Sequence, residues 1–562
     1  MGWPMNVQRG FACGLLHPPT TSIASSYKGA ASLRMSTVRE GLDMCAGDDM
    51  SITKDLLHSV AFVLRSDREV SCDVEKWKVW KKGEHGIVDK LIPDYAWKVL
   101  RRLQESGHGT YLVGGSVRDL LLKKPPKDFD LITTAPLNKV RKGFSRAWIV
   151  GRRFPICTVH IENKIVEVSS FNTVAKVPEK TKFSGYQNIL DSAAALGFTA
   201  SDKCHRVRWE NSMKRDFTIN GLFYDPFEEI LYDYLGGVED LRKKKVRTVS
   251  PANESFKEDS ARILRALRIA GRLGFKFARE TAKAIQTHSS SLNDLPLDRL
   301  RLEAKYLMGY GAAERSLRLL WRFGILEIIL PHQAAYFASQ GFKRQEKGSN
   351  LLLMLLANLD KLLSPSKPCH CCLWINILAL HLALYQHPES PVVISALALA
   401  IRKVDIEVAV LKAIRLHEKY GDGTEDLPEL DTEDLKMSKS KVKRKVSMLC
   451  ENVVEALELM TSVANVARAM QLYPGAPSSK VAIVSKTERD TCAKLFRSVS
   501  IRANLRNADP KGSLSVAQKT RKRTIDRECL QNGCLEEMSF VLSHIVLSTL
   551  YPHAAQRRTK AV

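Results

Sequence analysis

The sequence predicts an α+β protein, with a small mixed-sheet head followed by an elongated all-α neck, body and tail. Two patterns and the chain length lead there. From Val88 to Pro251, short apolar runs with strand alternation trade places with stretches of helical periodicity. Beyond Asn253 the strand signals stop, and apolar stripes at helical spacing continue to about His417 and more patchily after it. At 562 residues the chain is long enough for several hydrophobic cores. The expected division is a leader at 1–50, a head at 88–251, a neck and body at 252–417, a charged linker at 418–445 and a basic helical region at 446–562.

Residues 1–50 read as disordered. No acid precedes Glu40, while Arg9, Lys28, Arg34 and Arg39 alternate with small and hydroxylated residues, the composition of a chloroplast or mitochondrial transit peptide. The stretch is too weakly apolar for secretion, and Asn6 stands where myristoylation of Gly2 wants Ser or Thr.

Within the head, Tyr111 to Leu131 reads YLVGGSVRDLLLKKPPKDFDL. Tyr111–Val113 forms a buried strand that ends at Gly114 and Gly115, where bare backbone can approach a triphosphate. Ser116–Leu122 then opens a helix whose N-terminal amides point at the same anion, with Arg118 adding a full charge. Asp128 and Asp130 flank Phe129 in the next strand, so alternation places both carboxylates on one face and Phe129 in the core. Hard Mg²⁺ prefers such oxygen ligands, Mn²⁺ would also serve, and two ions there would activate a hydroxyl and stabilise a pyrophosphate leaving group.

Further motifs follow in order: IVGRRF at 149–154, IVEVSSF at 165–171, RDFTING at 215–221, DYLGGVEDL at 233–241 and EDSARILRALRIAGRLGF at 258–275. With the glycine turn and the Asp-x-Asp pair, the chain resembles the class II polymerase-beta-like nucleotidyltransferases, the family of bacterial-type poly(A) polymerases and tRNA CCA-adding enzymes, as a plant organellar-type member. The likeness is strong over about 111–275 and weaker to about Pro331. It implies transfer of AMP from ATP to RNA 3′ ends, with tRNA as the substrate of the CCA-adding alternative and a catalytically dead RNA-binding relative as a third reading.

Residue roles follow from pattern and resemblance together. Glu167 in the IVEV strand would bring a third carboxylate to Asp128 and Asp130 or accept the proton of a 3′-hydroxyl. Asp216, in a motif that reads Lys214-Arg215-Asp216 where the family has two arginines, competes for that role and is preferred to Glu167. Arg215 keeps the remaining guanidinium near the nucleotide. In the helix opened by Glu258 and Asp259, Arg262, Arg265, Arg268 and Arg272 form one stripe. Asp259 and Arg262 would pair with a base edge and the later arginines would meet the triphosphate. Arg152 and Arg153 suit phosphates of RNA or nucleotide. Bacterial-type poly(A) polymerases share the form LVGRRFxLxHV here; this chain matches it through Ile156 but has Thr158 in place of the histidine, with His160 two positions on.

Charge agrees with a polyphosphate partner: 86 Lys plus Arg face 61 Asp plus Glu, for a net +25. Basic runs at 242–245, 436–445 and 519–523 are candidate backbone contacts. The most apolar segments, at 351–363, 373–384 and 392–401, are short and contain Asn358, Asn376 and His381, which marks buried helices and no membrane partner. Of the 12 cysteines only Cys369-His370-Cys371-Cys372 invites a metal, and without a second ligand pair at zinc spacing no zinc is expected. No His-Asp doublet marks an appended metal phosphohydrolase. Protein partners are not legible in the chain.

Overall fold

The computed structural model describes residues 77–151, 155–171, 200–421, 430–431, 437–473, 479–504 and 524–553. The transit-peptide reading, Arg152, Arg153 and the run at 519–523 lie outside them.

The head is one mixed sheet. Its strands are β1 (Lys78–Trp80), β2 (Thr110–Val113), β3 (Asp130–Thr133), β4 (Ala147–Val150), β5 (Ile156–Ile161), β6 (Lys164–Ser170), β7 (Phe223–Asp225) and β8 (Ile230–Asp233). They lie in the order β1-β8-β7-β2-β3-β6-β5-β4. Every neighbour pair is antiparallel except β3 and β6, which run parallel. Alternation divides the central strands between two cores. Leu112, Leu131, Val166 and Val168 face the main core, while Val113, Ile132, Phe223 and Tyr234 form a smaller cluster on the other face. The head therefore starts earlier than the expected residue 88, because β1 completes the sheet beside β8.

Helices make up the remainder, except for β10 (Lys276–Phe277), which pairs in parallel with β9 (Lys245–Val246) and fastens the neck to the head. The helix Ala261–Leu273 buries Ile263, Leu264, Ala266, Leu267 and Ala270 and leaves its arginines on the opposite side. It does not open at Glu258 as expected. Glu258 ends the preceding helix, Ala252–Glu258, and Asp259 is extended (φ −146°, ψ 97°), which separates the two. In the body, the helices Cys371–Gln386 and Pro391–Ile401 are almost wholly buried. Among the described residues no helix is long and apolar enough to cross a membrane. The expected charged linker is shorter than read: its basic run becomes helix from Lys439, capped by the Ser438 side chain accepting from the Lys441 amide at 3.3 Å.

Candidate functional site

β2 ends at the glycine turn and β3 begins at Asp130, directly opposite Val113. Gly114 has φ +73°, and a Cβ there would stand 2.9 Å from Arg215 Nη1 and 3.8 Å from Asp130 Oδ2. Only glycine gives both this backbone and this approach. The helix that follows, Gly115–Leu121, is where the sequence placed it to within one residue.

Asp130 is the register partner of Glu167 on parallel β6, so their side chains leave the sheet together. Asp128 is not in the strand; it occupies the bend before it, with its side chain 65% exposed and Oδ2 3.2 Å from Lys127 Nζ. Phe129 between them is buried, its ring edge-on to Tyr95 at 6.2 Å. Burial, aided by the negative charges of Glu167 and Asp128, pushes the Asp130 carboxyl up to about 6 against the pull of Arg215 and Lys127. Burial and Asp128 likewise push Glu167 up. Three oxygen donors that repel one another are what a bound cation would relieve, so these residues fit a divalent ion. They do not close into a shell on their own. Among the described residues the one group of three His, Cys, Asp or Glu ligand atoms within 4.8 Å of one another is His370, Cys371 and Cys372.

Asp216 has a different setting. Burial would raise it, but Arg265 Nη1 at 3.1 Å from Oδ2, Asn220 Nδ2 at 2.9 Å from Oδ1 and the Phe217 amide at 2.8 Å hold it below the usual carboxylate range. Asn220 Oδ1 in turn accepts from Arg118 Nη1 at 2.7 Å, and Arg118 Nε donates to Asp119 Oδ1 at 2.8 Å. Arg272 Nη2 donates to the other oxygen of Asp119, also at 2.8 Å. Because Arg265 and Arg272 share a helix, these contacts form a closed ring joining head to neck, with three cations against two anions directly beneath the glycine turn. Arg118 belongs to this ring and is buried; its guanidinium supports Gly115 from below, 3.5 Å from where a Cβ would be. Arg215, half-buried, lies between Asp130 and Asp216; desolvation lowers its pKa against the pull of both carboxylates.

The remaining stripe is also paired. Arg262 donates to Glu258 Oε2 at 2.9 Å and to Ser255 Oγ at 3.1 Å. Asp259, expected beside Arg262, instead accepts from Arg299 at 2.8 Å. Arg268 lies 3.2 Å from Glu303 and over the Tyr306 ring. The structure thus gathers Gly114, Gly115, Arg215, Asp128, Asp130 and Glu167 near the start of β3, sets Arg118, Asp216 and Arg265 in the ring beside them, and leaves Glu258, Asp259 and Arg262 on the neck.

Sequence reading missed several contributors. Asp119 and Asn220 lay inside motifs already singled out, where a buried acid and amide beside arginines were the available signal. Lys127 stands over the rings of Tyr306 and Tyr310 at 5.0 and 5.1 Å, and nothing local links residues so far apart in sequence.

Residues 110–247 match the family described as "Poly A polymerase head domain", and residues 274–337 match "Probable RNA and SrmB- binding site of polymerase A". The chain is 34% identical over 281 residues to "Poly(A) polymerase I" of Escherichia coli, covering 50% of this chain and 58% of that protein. It is 30% identical over 229 residues to "CCA-adding enzyme" of Staphylococcus aureus, covering 41% of this chain and 53% of the relative. The chain thus spans less than two thirds of these relatives' own length. A solved Bacillus stearothermophilus CCA-adding enzyme in complex with CTP aligns over 72% of this chain and 82% of its own at 21% identity, with a TM-score of 0.37.

Proposed function

We propose, from the matches of residues 110–247 to the poly(A) polymerase head domain and of 274–337 to its RNA-binding region, that this protein is a polymerase-beta-like nucleotidyltransferase that adds AMP from ATP to RNA 3′ ends and releases pyrophosphate. The observation that carries the proposal is the pairing of Asp130 with Glu167 across β3 and β6, one residue opposite from the glycine turn.

In this reading the turn at Gly114 and Gly115 holds the triphosphate with backbone amides, and half-buried Arg215 adds charge beside it. Asp128 and Asp130 would hold Mg²⁺. When bound, the metal neutralises the phosphates and favours the ionised attacking hydroxyl. Glu167, kept basic by burial and by Asp128, accepts the proton of the RNA 3′-hydroxyl; that oxygen bonds the α-phosphorus as the bond to pyrophosphate breaks. The geometry favours Glu167 over Asp216, the residue the sequence preferred, because both oxygens of Asp216 are already taken by Arg265, Asn220 and the Phe217 amide. Asp216 and Arg265 are positioning residues. Glu258, Asp259, Arg262 and Arg268 border the nucleotide from the neck, and Arg152 and Arg153 suit phosphate contacts.

CCA addition is the second reading, favoured by the 30% identity to a CCA-adding enzyme. Labelled ATP and CTP, each offered with unstructured RNA and with tRNA lacking its terminal CCA, separate the two. Long ATP-only tails on generic RNA support poly(A) synthesis, and addition to tRNA that stops after the CCA end supports the alternative. We also propose an organellar destination from the acid-free, arginine-bearing start of the chain. A fluorescent protein fused to residues 1–50 tests this in plant cells; diffuse cytosolic signal refutes it.

A further inference from the structure

In the body, the first turn of the helix Cys371–Gln386 brings three soft ligands together. A ring nitrogen of His370 and the sulfurs of Cys371 and Cys372 all lie within 4.8 Å of one another. Neighbours on a helix ordinarily diverge, so this closeness is meaningful only if a wall opposite holds them. The helix Lys486–Asn504 is that wall. Its Glu488 Oε1 lies 3.2 Å from Cys371 Sγ. One turn on, Cys492 Sγ is 3.7 Å from the Cys372 carbonyl oxygen.

Both oxygen and nitrogen donors are held in place. Glu488 Oε2 accepts from the Ser485 amide at 2.8 Å and from Ser485 Oγ at 2.7 Å, which leaves Oε1 aimed at the thiols. The His370 ring packs on Gly533, whose φ is +80°; a Cβ there would meet His370 Cγ at 2.9 Å. The His370 amide is tied to the Leu530 carbonyl at 3.1 Å. Three chain segments therefore meet at one nitrogen and two sulfurs, with the Glu488 oxygen beside the Cys371 sulfur.

We propose that His370, Cys371, Cys372 and Glu488 form a structural centre for one zinc ion, joining the helices Cys371–Gln386 and Lys486–Asn504. Mixed N, S₂ and O ligands suit borderline Zn²⁺, and four protein groups leave no open position for catalysis. Each thiol releases a proton to solvent as its S–Zn bond forms, and no electron moves. His370 exchanges its 3.3 Å hydrogen bond from the Cys372 amide for the metal. Arg301 and Lys305, near enough to act on Glu488 and His370, offset the excess negative charge of the ligand set. The run escaped the usual sequence rule because its fourth ligand is a glutamate 116 residues beyond Cys372.

The test is elemental analysis of the full chain purified from zinc-supplemented cells, with melting followed through chelation and reloading. The expected result is about one zinc per chain. It is retained in Asp128→Ala/Asp130→Ala, which excludes the acidic site as its source, and lost in Cys371→Ser. Because Cys371→Ser can unfold the chain, wild-type protein is also stripped and refilled. Its melting temperature should fall with the chelator and return with Zn²⁺, and Co²⁺ in its place should give intense thiolate charge-transfer absorption. Zinc well below one per chain with no change in melting overturns the proposal. So does cobalt without charge-transfer absorption, or a Cys372–Cys492 disulfide in freshly purified protein.

Discussion

Asp130 and Glu167 stand side by side on parallel strands, and each carries a carboxylate that its surroundings make harder to ionise. Such a pair is costly without a counter-ion, and the cost is a sign of what the site is built to hold.

The first prediction concerns stability. Asp130 titrates at about 6 in the fold against an ordinary 3.8, so the folded state binds its proton more readily than the unfolded chain. The charged carboxylate therefore destabilises the fold fully above pH 6, and the penalty disappears as pH falls toward 4. Asp130→Asn should accordingly raise the melting temperature at pH 8 without metal, by a stabilisation of about 3 kcal/mol. Calorimetry of the two proteins with and without Mg²⁺ checks this: metal should stabilise wild type and leave the variant almost unmoved.

Activity should titrate in the opposite sense. At limiting Mg²⁺, nucleotide incorporation falls as pH drops through about 6, where Asp130 takes up its proton and gives up a metal ligand. Saturating metal should move the inflection to lower pH. An inflection that ignores metal concentration would assign it to another group.

Gly114→Ala tests the turn. A Cβ at φ +73°, 2.9 Å from Arg215 Nη1, must displace that guanidinium. The expected cost is about 1–2 kcal/mol in stability, together with a raised KM for the nucleotide. Unchanged KM would separate the turn from the triphosphate.

Asp216→Asn tests the ring between head and neck. It leaves Arg265 without its anion and should lower stability by about 2 kcal/mol, less than a fully buried pair because Arg265 is 33% exposed. If Asp216 acts by positioning, the variant keeps its pH profile while activity falls moderately. A lost acidic limb in the profile would make Asp216 a proton acceptor and reverse its assignment with Glu167.

Much of the head was legible because its signals are local. The glycine turn, the short helix after it and the buried Phe129 between two acids are all set within a few residues. What was not legible depends on distance along the chain. Arg265 meets Asp216 across 49 residues and Arg299 meets Asp259 across 40, so the acids of the fold that pair with the arginines could not be read from helical spacing. The helix break at Asp259 was hidden because local composition favours helix on both sides, whereas Arg299 holds the residue extended. The preference for Asp216 over Glu167 came from its motif, and the register that sets Glu167 beside Asp130 joins strands too far apart in sequence to be read from spacing.

The most direct measurement is labelled-ATP incorporation into RNA by Asp130→Asn and Glu167→Gln, with RNA binding and melting followed in parallel. Both variants should bind RNA and melt cooperatively while incorporation falls by about 100-fold or more. Incorporation near the wild-type rate in either variant would contradict a carboxylate pair at the centre of the reaction.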